Sequence, residues 1–260
     1  MSVPSPPGPP ASGPRSSEEA GNPLWLARAR LGDGEPVDQL IATYAFVVPT
    51  DEALRAIAAA SPRGVVEVGA GTGYWAHLLR EQGVDVVAYD IAPAPSPRNQ
   101  WFAGSTPWFP VRDGDHTVVG DHGARTLLLV WPTRNEDWPG EAVTLFAAAG
   151  GTTVAHVGER PGGHTGDGRF HALLGEVDRC WACAYQTPSV PCVCGVRPRF
   201  RRVRTVELPS LPGRDDDLGL YARDPDAQPL RPNPRRLRPR QRRPGPRLRW
   251  RGAPPAHGRE

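Results

Sequence analysis

The stretch Val65-Val66-Glu67-Val68-Gly69-Ala70-Gly71-Thr72-Gly73-Tyr74-Trp75 constrains this chain more than any other. A short β-branched run ends in an acid-bearing step and passes straight into a glycine ladder. An amphipathic run from Tyr74 to Gln82 follows, with Trp75, Leu78 and Leu79 at helical spacing. Such a pattern predicts a buried strand, a tight turn, and a helix whose free N–H groups face a ligand. Glycines serve where backbone turns sharply or where a ligand lies against it with no Cβ between. A second apolar run, Val84 to Tyr89, ends in Asp90. That places an acid at the tip of the neighbouring strand, where a ribose diol would donate to it.

The glycine spacing separates two kinds of nucleotide site. Dinucleotide binders carry G-x-G-x-x-G, and the third glycine would fall on Tyr74. The sequence instead has Glu-x-Gly-x-Gly-x-Gly with Asp90 on the next strand, and in this it resembles the class I S-adenosylmethionine-dependent methyltransferases. The resemblance spans roughly residues 44–223, its specific part residues 65–90. It implies an α/β, Rossmann-like, doubly wound fold with a mostly parallel seven-stranded sheet closed by a C-terminal antiparallel hairpin. It also implies that Gly69, Gly71 and Gly73 line the cofactor, that Glu67 faces its methionine end and that Asp90 holds its ribose. A βαβ unit whose glycines serve only the turn is the plain alternative.

Composition sets this domain between loose ends. Proline (32) and glycine (29) are abundant in the 260 residues and gather outside the patterned core. Residues 1–23 are rich in Pro, Ser and Gly without apolar period and are expected to be disordered; they lack the features of a signal peptide. No apolar run reaches the roughly 18 residues that would span a bilayer. A soluble, cytoplasmic protein with no membrane partner is expected. The chain has no Lys, and residues 225–260 hold eleven Arg against two acids, so this tail carries +9 while the remainder carries −6. Arginines hold phosphate bidentately, which admits loose nucleic-acid binding. Trp250 is the tail's only aromatic, however, and a disordered solvated tail is the reading favoured.

Before the glycine ladder, helices are expected over Leu24 to Leu31 and over Leu40 to Ala60, the second broken at Pro49 and restarted by Thr50, Asp51 and Glu52. By the resemblance, Tyr44, Phe46 and Thr50 are candidates for a cofactor lid, with packing as the alternative. After Asp90 the prolines at 93, 95, 97, 107 and 110 exclude the usual helix. A long ordered loop is expected, with Trp101, Phe102, Trp108 and Phe109 packed over the sheet or the site mouth. A short third strand is read over Val111 to Asp115. Asp115 stands where the family carries an adenine-contacting acid. The apolar run Thr126 to Val130 reads as a central strand, and Trp131-Pro132 fills the place of an amine-orienting Asn/Asp-Pro-Pro element, whose polar residue is missing here.

A helix over Glu141 to Ala149 and a strand over Thr152 to Val157 precede a glycine-rich loop carrying Glu159 and His164. This loop falls at the carboxyl edge of the sheet, where Glu159 and His164 are candidates for a general base or a substrate contact. The alternative is a solvated turn capped by Thr165 or Asp167 before a helix over Phe170 to Val177. Cys180, Cys183, Cys192 and Cys194 form two close pairs, a spacing that suits a structural zinc or four reduced thiols. They lie in an insertion at about 178–198. Strands over Arg201 to Leu208 and Asp217 to Arg223 form the closing hairpin. The domain is bounded at 24–224. The function expected is methyl transfer to an unidentified acceptor, a small molecule favoured; the alternative is a non-catalytic scaffold or interaction protein.

Overall fold

The computed structural model describes residues 22–29, 37–177 and 198–227. Residues 1–21, 30–36, 178–197, which hold the four cysteines, and 228–260, which hold the arginines of the tail, lie outside the described residues. Three helices lead in: α1 (Pro23–Ala29), α2 (Val37–Thr43) and α3 (Asp51–Ala60). The chain leaves helix at Tyr44, five residues ahead of Pro49, and restarts where Thr50 accepts from the Ala53 N–H with Asp51 and Glu52 in the first turn. Then come β1 (Val65–Val68), α4 (Tyr74–Glu81) and β2 (Val86–Asp90). A loop leads to β3 (Arg112–Asp113), a 3₁₀ helix (His116–Asp121) and β4 (Thr126–Val130). The remainder is α5 (Trp138–Ala148), β5 (Thr153–Glu159), α6 (Gly168–Leu173), β6 (Phe200–Glu207) and β7 (Asp216–Arg223).

The seven strands lie in the order β3-β2-β1-β4-β5-β7-β6. The first five are parallel, and β7 enters antiparallel between β5 and β6. Every residue of β1 is buried, as expected for a strand covered on both faces. Alternation divides the core. Val65, Leu128, Ala155, Val157, Leu218 and Leu220 pack on the face that also holds α3 and α4. Val66, Leu127, Leu129 and Tyr221 pack with Phe146 of α5 and Phe170 of α6 on the other. The edge strand β6 presents Arg201 and Arg204 outward, which discourages pairing with another sheet edge.

Element boundaries moved where turn chemistry intervened. Helix α5 begins at Trp138, three residues early, because Pro139 suits a first turn. Strand β5 runs two residues further, to Glu159, because β7 pairs with it along its whole length. Helix α6 starts at Gly168, with Asp167 accepting from the Phe170 N–H at 2.7 Å, and stops by Leu173.

Candidate active site

The turn after β1 is built from positive-φ backbone: Gly69, Gly71 and Gly73 have φ of 74°, 57° and 74°. The N–H groups of Gly69 and Ala70 both donate to the Tyr89 carbonyl of β2, at 2.9 and 3.0 Å. Asp90 completes the clamp. Its Oδ2 accepts from the Gly71 N–H at 2.9 Å and its Oδ1 from the Ala92 N–H at 2.8 Å, and its side chain is buried. The acid expected on the second strand thus touches the glycine turn itself.

Glu67 sits beneath this turn, 2% exposed. It accepts from the Ala76 N–H in the first turn of α4, whose N-cap, Gly73, has no side chain to do so. Its Oε2 has no hydrogen-bond partner. Burial, with a smaller push from the Asp90 charge, raises its carboxyl from 4.5 to about 8.

Tyr74, where a dinucleotide site would need glycine, is 1% exposed. Its ring packs edge-on against Tyr44 and Trp108, and its hydroxyl donates to Asn22 Oδ1 at 2.7 Å. The lead-in segment is therefore tied to the glycine turn: Thr72 Oγ1 donates to the Tyr44 carbonyl, and Trp108 N–H to the Thr72 carbonyl at 2.8 Å. Thr50, by contrast, is used as a helix cap.

The proline-rich loop after Asp90 is ordered by Asn99. Its Oδ1 accepts from the N–H groups of Trp101 and Phe102, and its Nδ2 donates to the Ala92 carbonyl. The loop lays Phe102 on the glycine turn, so that a Cβ at Gly71 would meet the ring at 2.3 Å. The same ring meets Phe46 edge-on at 5.8 Å, and Phe46 stacks on Trp131 at 5.6 Å. Trp131, just past β4, holds φ of 49°, a strained value for a bulky residue. An aromatic wall thus runs from Gly71 to the end of β4.

Beyond it, Glu159 ends β5 with its carboxylate buried. Oε2 accepts from the His164 N–H at 2.5 Å and meets His164 Nδ1 at 2.7 Å, and Oε1 accepts from the Asp215 N–H. Burial would raise this carboxyl, but these hydrogen bonds outweigh it and hold it below its usual value. The His164 side chain is 62% exposed. Glu159 and His164 are therefore brought together. Asp115 is placed otherwise than as a bare acid: it caps the 3₁₀ helix, with Oδ1 accepting from the N–H and hydroxyl of Thr117.

Three features went unread in the sequence. Asp216, the first residue of β7, is 3% exposed with neither carboxylate oxygen hydrogen-bonded. Arg214 lies over Trp131. Away from this edge, His171 Nδ1 meets Glu176 Oε2 at 2.6 Å while Glu176 Oε1 binds Arg202 and the Tyr221 hydroxyl. Among the described residues no group of His, Cys, Asp or Glu is arranged to hold a metal, and no helix is long and apolar enough to cross a membrane.

A family model described as a methyltransferase domain matches residues 41–144, from α2 into α5, and so takes in the glycine turn and Asp90. No curated protein matches the chain. Among solved structures, the chain is similar to magnesium protoporphyrin IX methyltransferase from Synechocystis PCC 6803 with bound SAM, at 15% identity over 80% of this chain and 95% of that one, TM-score 0.41. It is also similar to a SAM-dependent methyltransferase from Bacteroides fragilis in complex with S-adenosyl-L-homocysteine, at 16% identity over 72% and 81%, TM-score 0.36. The matched domain falls on the part of the sequence that carries the glycine turn, and the sheet has the order this fold requires. Residues 41–144, with the glycine turn and Asp90, thus match a methyltransferase domain, and the sheet that carries them is Rossmann-like.

Proposed function

We propose that the chain transfers a methyl group from S-adenosylmethionine to a small-molecule acceptor at the carboxyl edge of its sheet. The observation that carries this is the unpartnered Oε2 of Glu67, buried under a glycine turn that Asp90 clamps. A buried carboxyl left without a donor fits the ammonium of a methionine moiety, whose positive charge favours its ionised form. Gly69, Gly71 and Gly73 give the ligand close backbone approach, Asp90 receives the ribose hydroxyls, and Asp115 stands on the adenine side. Bound there, the cofactor supplies a methyl carbon made electrophilic by its sulfonium.

His164 is the proton acceptor in this reading. Glu159 holds its Nδ1 side, which leaves Nε2 to take the proton of the methyl acceptor as the new bond forms. Alignment carries the rest of the rate, since methyl transfer is a displacement at one carbon between two held groups. The aromatic wall of Phe102, Phe46 and Trp131 favours a small acceptor over a nucleic acid, and the Arg-rich tail is assigned no part in the reaction. We place the domain at 24–224, with a cysteine insertion at about 178–198 in which Cys180, Cys183, Cys192 and Cys194 bind one structural zinc; the support is their spacing.

Incubation of the purified chain with methyl-labelled cofactor and separate small-molecule, RNA and protein fractions tests the assignment. Label is expected in the small-molecule fraction and absent with Asp90→Ala. Label in RNA or protein alone would overturn the acceptor class, and no transfer to any fraction would overturn the activity.

A further inference from the structure

Period-2 alternation puts Glu67, Glu159 and Asp216 on one face of the sheet, with Leu128, Val157 and Leu218, and all three stand at its carboxyl edge. Glu159 is paired directly with Asp216 in the β5–β7 ladder. The Glu159 oxygens are engaged by its own loop, whereas both Asp216 oxygens are buried and unpartnered. Its backbone N–H is fixed by Ser210 Oγ at 2.7 Å, so the side chain is held in place without being satisfied.

Two residues earlier, the Arg214 guanidinium carbon lies 4.2 Å from the centre of the Trp131 ring and 5.2 Å from that of Phe46. Its NH1 donates to the Phe46 carbonyl at 2.9 Å. Those π faces belong to the wall that continues through Phe102 to Gly71. Arg214 thus joins the ring faces it covers to the carboxylate whose charge it feels, and ring faces with an unpartnered carboxylate within reach of one cation recognise one chemistry, a cation with N–H donors.

We propose that Trp131, Phe46 and Asp216 form a seat for a cationic nitrogen carried by the methyl acceptor, an amine or guanidine, and that Arg214 is the seat's built-in occupant, displaced when that group enters. The assignment of the seat to the acceptor rests on the methyltransferase reading above. Burial raises the Asp216 carboxyl from 3.8 to about 7 even with Arg214 nearby, as expected of an acid that lacks a seated partner. Burial likewise lowers the Arg214 guanidinium from its usual value against the pull of Asp216 and Glu159. Both groups gain when a better-placed cation meets Asp216 and Arg214 swings to water.

The test uses the full chain saturated with S-adenosylhomocysteine and two probes of one shape, butylguanidine and its neutral isostere butylurea, titrated by calorimetry. Arg214→Ala should bind butylguanidine about tenfold more tightly than the parent does, with little gain for butylurea. Adding Asp216→Asn should abolish the preference for the charged probe, and Asp216→Ser should do the same if Asn perturbs the strand. Retained S-adenosylhomocysteine affinity certifies that each variant is folded. Equal binding of the two probes by Arg214→Ala, or a preference that survives both Asp216 substitutions, would overturn the seat. Failure of the parent to bind S-adenosylhomocysteine would overturn the methyltransferase reading instead, and the probe titrations without it would still decide the seat.

Discussion

Glu67→Gln should make the ligand-free protein more stable relative to the parent as the pH rises. Glu67 is fully buried, gives one oxygen to the Ala76 N–H and leaves the other without a partner, so its carboxyl rises from 4.5 to about 8. In the unfolded chain the group ionises near 4.5. Between that pH and about 8 the unfolded state sheds a proton that the folded state keeps, so each pH unit costs about 1.4 kcal/mol of stability. The loss is absent below 4.5, grows through the interval and is complete above 8, where it approaches at most about 5 kcal/mol. Glutamine keeps the acceptor for Ala76 and cannot ionise. Its unpartnered amide adds a cost of about 1–3 kcal/mol that does not vary with pH. Urea unfolding of both proteins from pH 5 to 9 reads the difference. The reasoning predicts a parent curve that falls with pH relative to the variant; parallel curves would refute it and would mean that Glu67 reaches water or an unseen donor.

Gly71→Ala should cost about 2–5 kcal/mol, combining about 1–2 for a side chain at φ 57° with about 1–3 for the collision with Phe102. Phe102→Ala in the same chain should recover the second part, as a thermal-melt double-mutant cycle would show. Glu176→Gln should weaken the protein at neutral pH and change its acid sensitivity. Burial would raise the Glu176 carboxyl, but hydrogen bonds from His171, Tyr221 and Arg202 outweigh it and bring it down to about 2. The parent should therefore lose up to about 3 kcal/mol as pH falls from 4.5 toward 2, and the variant should not, in acid titrations followed by circular dichroism. Elemental analysis of protein purified without chelator should find about one zinc per chain, and a value well below half would remove the cysteine site.

The glycine ladder, the acid two residues ahead of it and the acid on the next strand were legible because each is local: strand, turn and helix follow one another within 26 residues. The central strand was legible through its continuous apolar run, Thr126 to Val130. What stayed hidden depends on pairing across long separations. Asp216 read as part of an acidic loop, and only the β5–β7 ladder shows that it begins a strand opposite Glu159. The contact of Phe102 with Gly71 joins residues 31 apart through a loop without period, so aromatic content announced packing but not its target. Arg214 was one of 31 basic residues, and nothing in its neighbours marks the stacking on Trp131. Asp115 shows the opposite limit: its place along the chain matched the resemblance, while the 3₁₀ helix that follows took up its Oδ1.

The central claim, that the turn after β1 is a site for an adenosyl amino acid and not for a dinucleotide, is tested most directly by titrating S-adenosylhomocysteine and NAD separately into the folded chain. Tyr74 fills the position a dinucleotide site keeps as glycine, and in the proposed reading Glu67 would meet an ammonium and Asp90 a ribose. The account predicts saturable heat with S-adenosylhomocysteine, one site per chain, and none with NAD. Heat with NAD alone, or with neither ligand on protein shown to be folded, would contradict it.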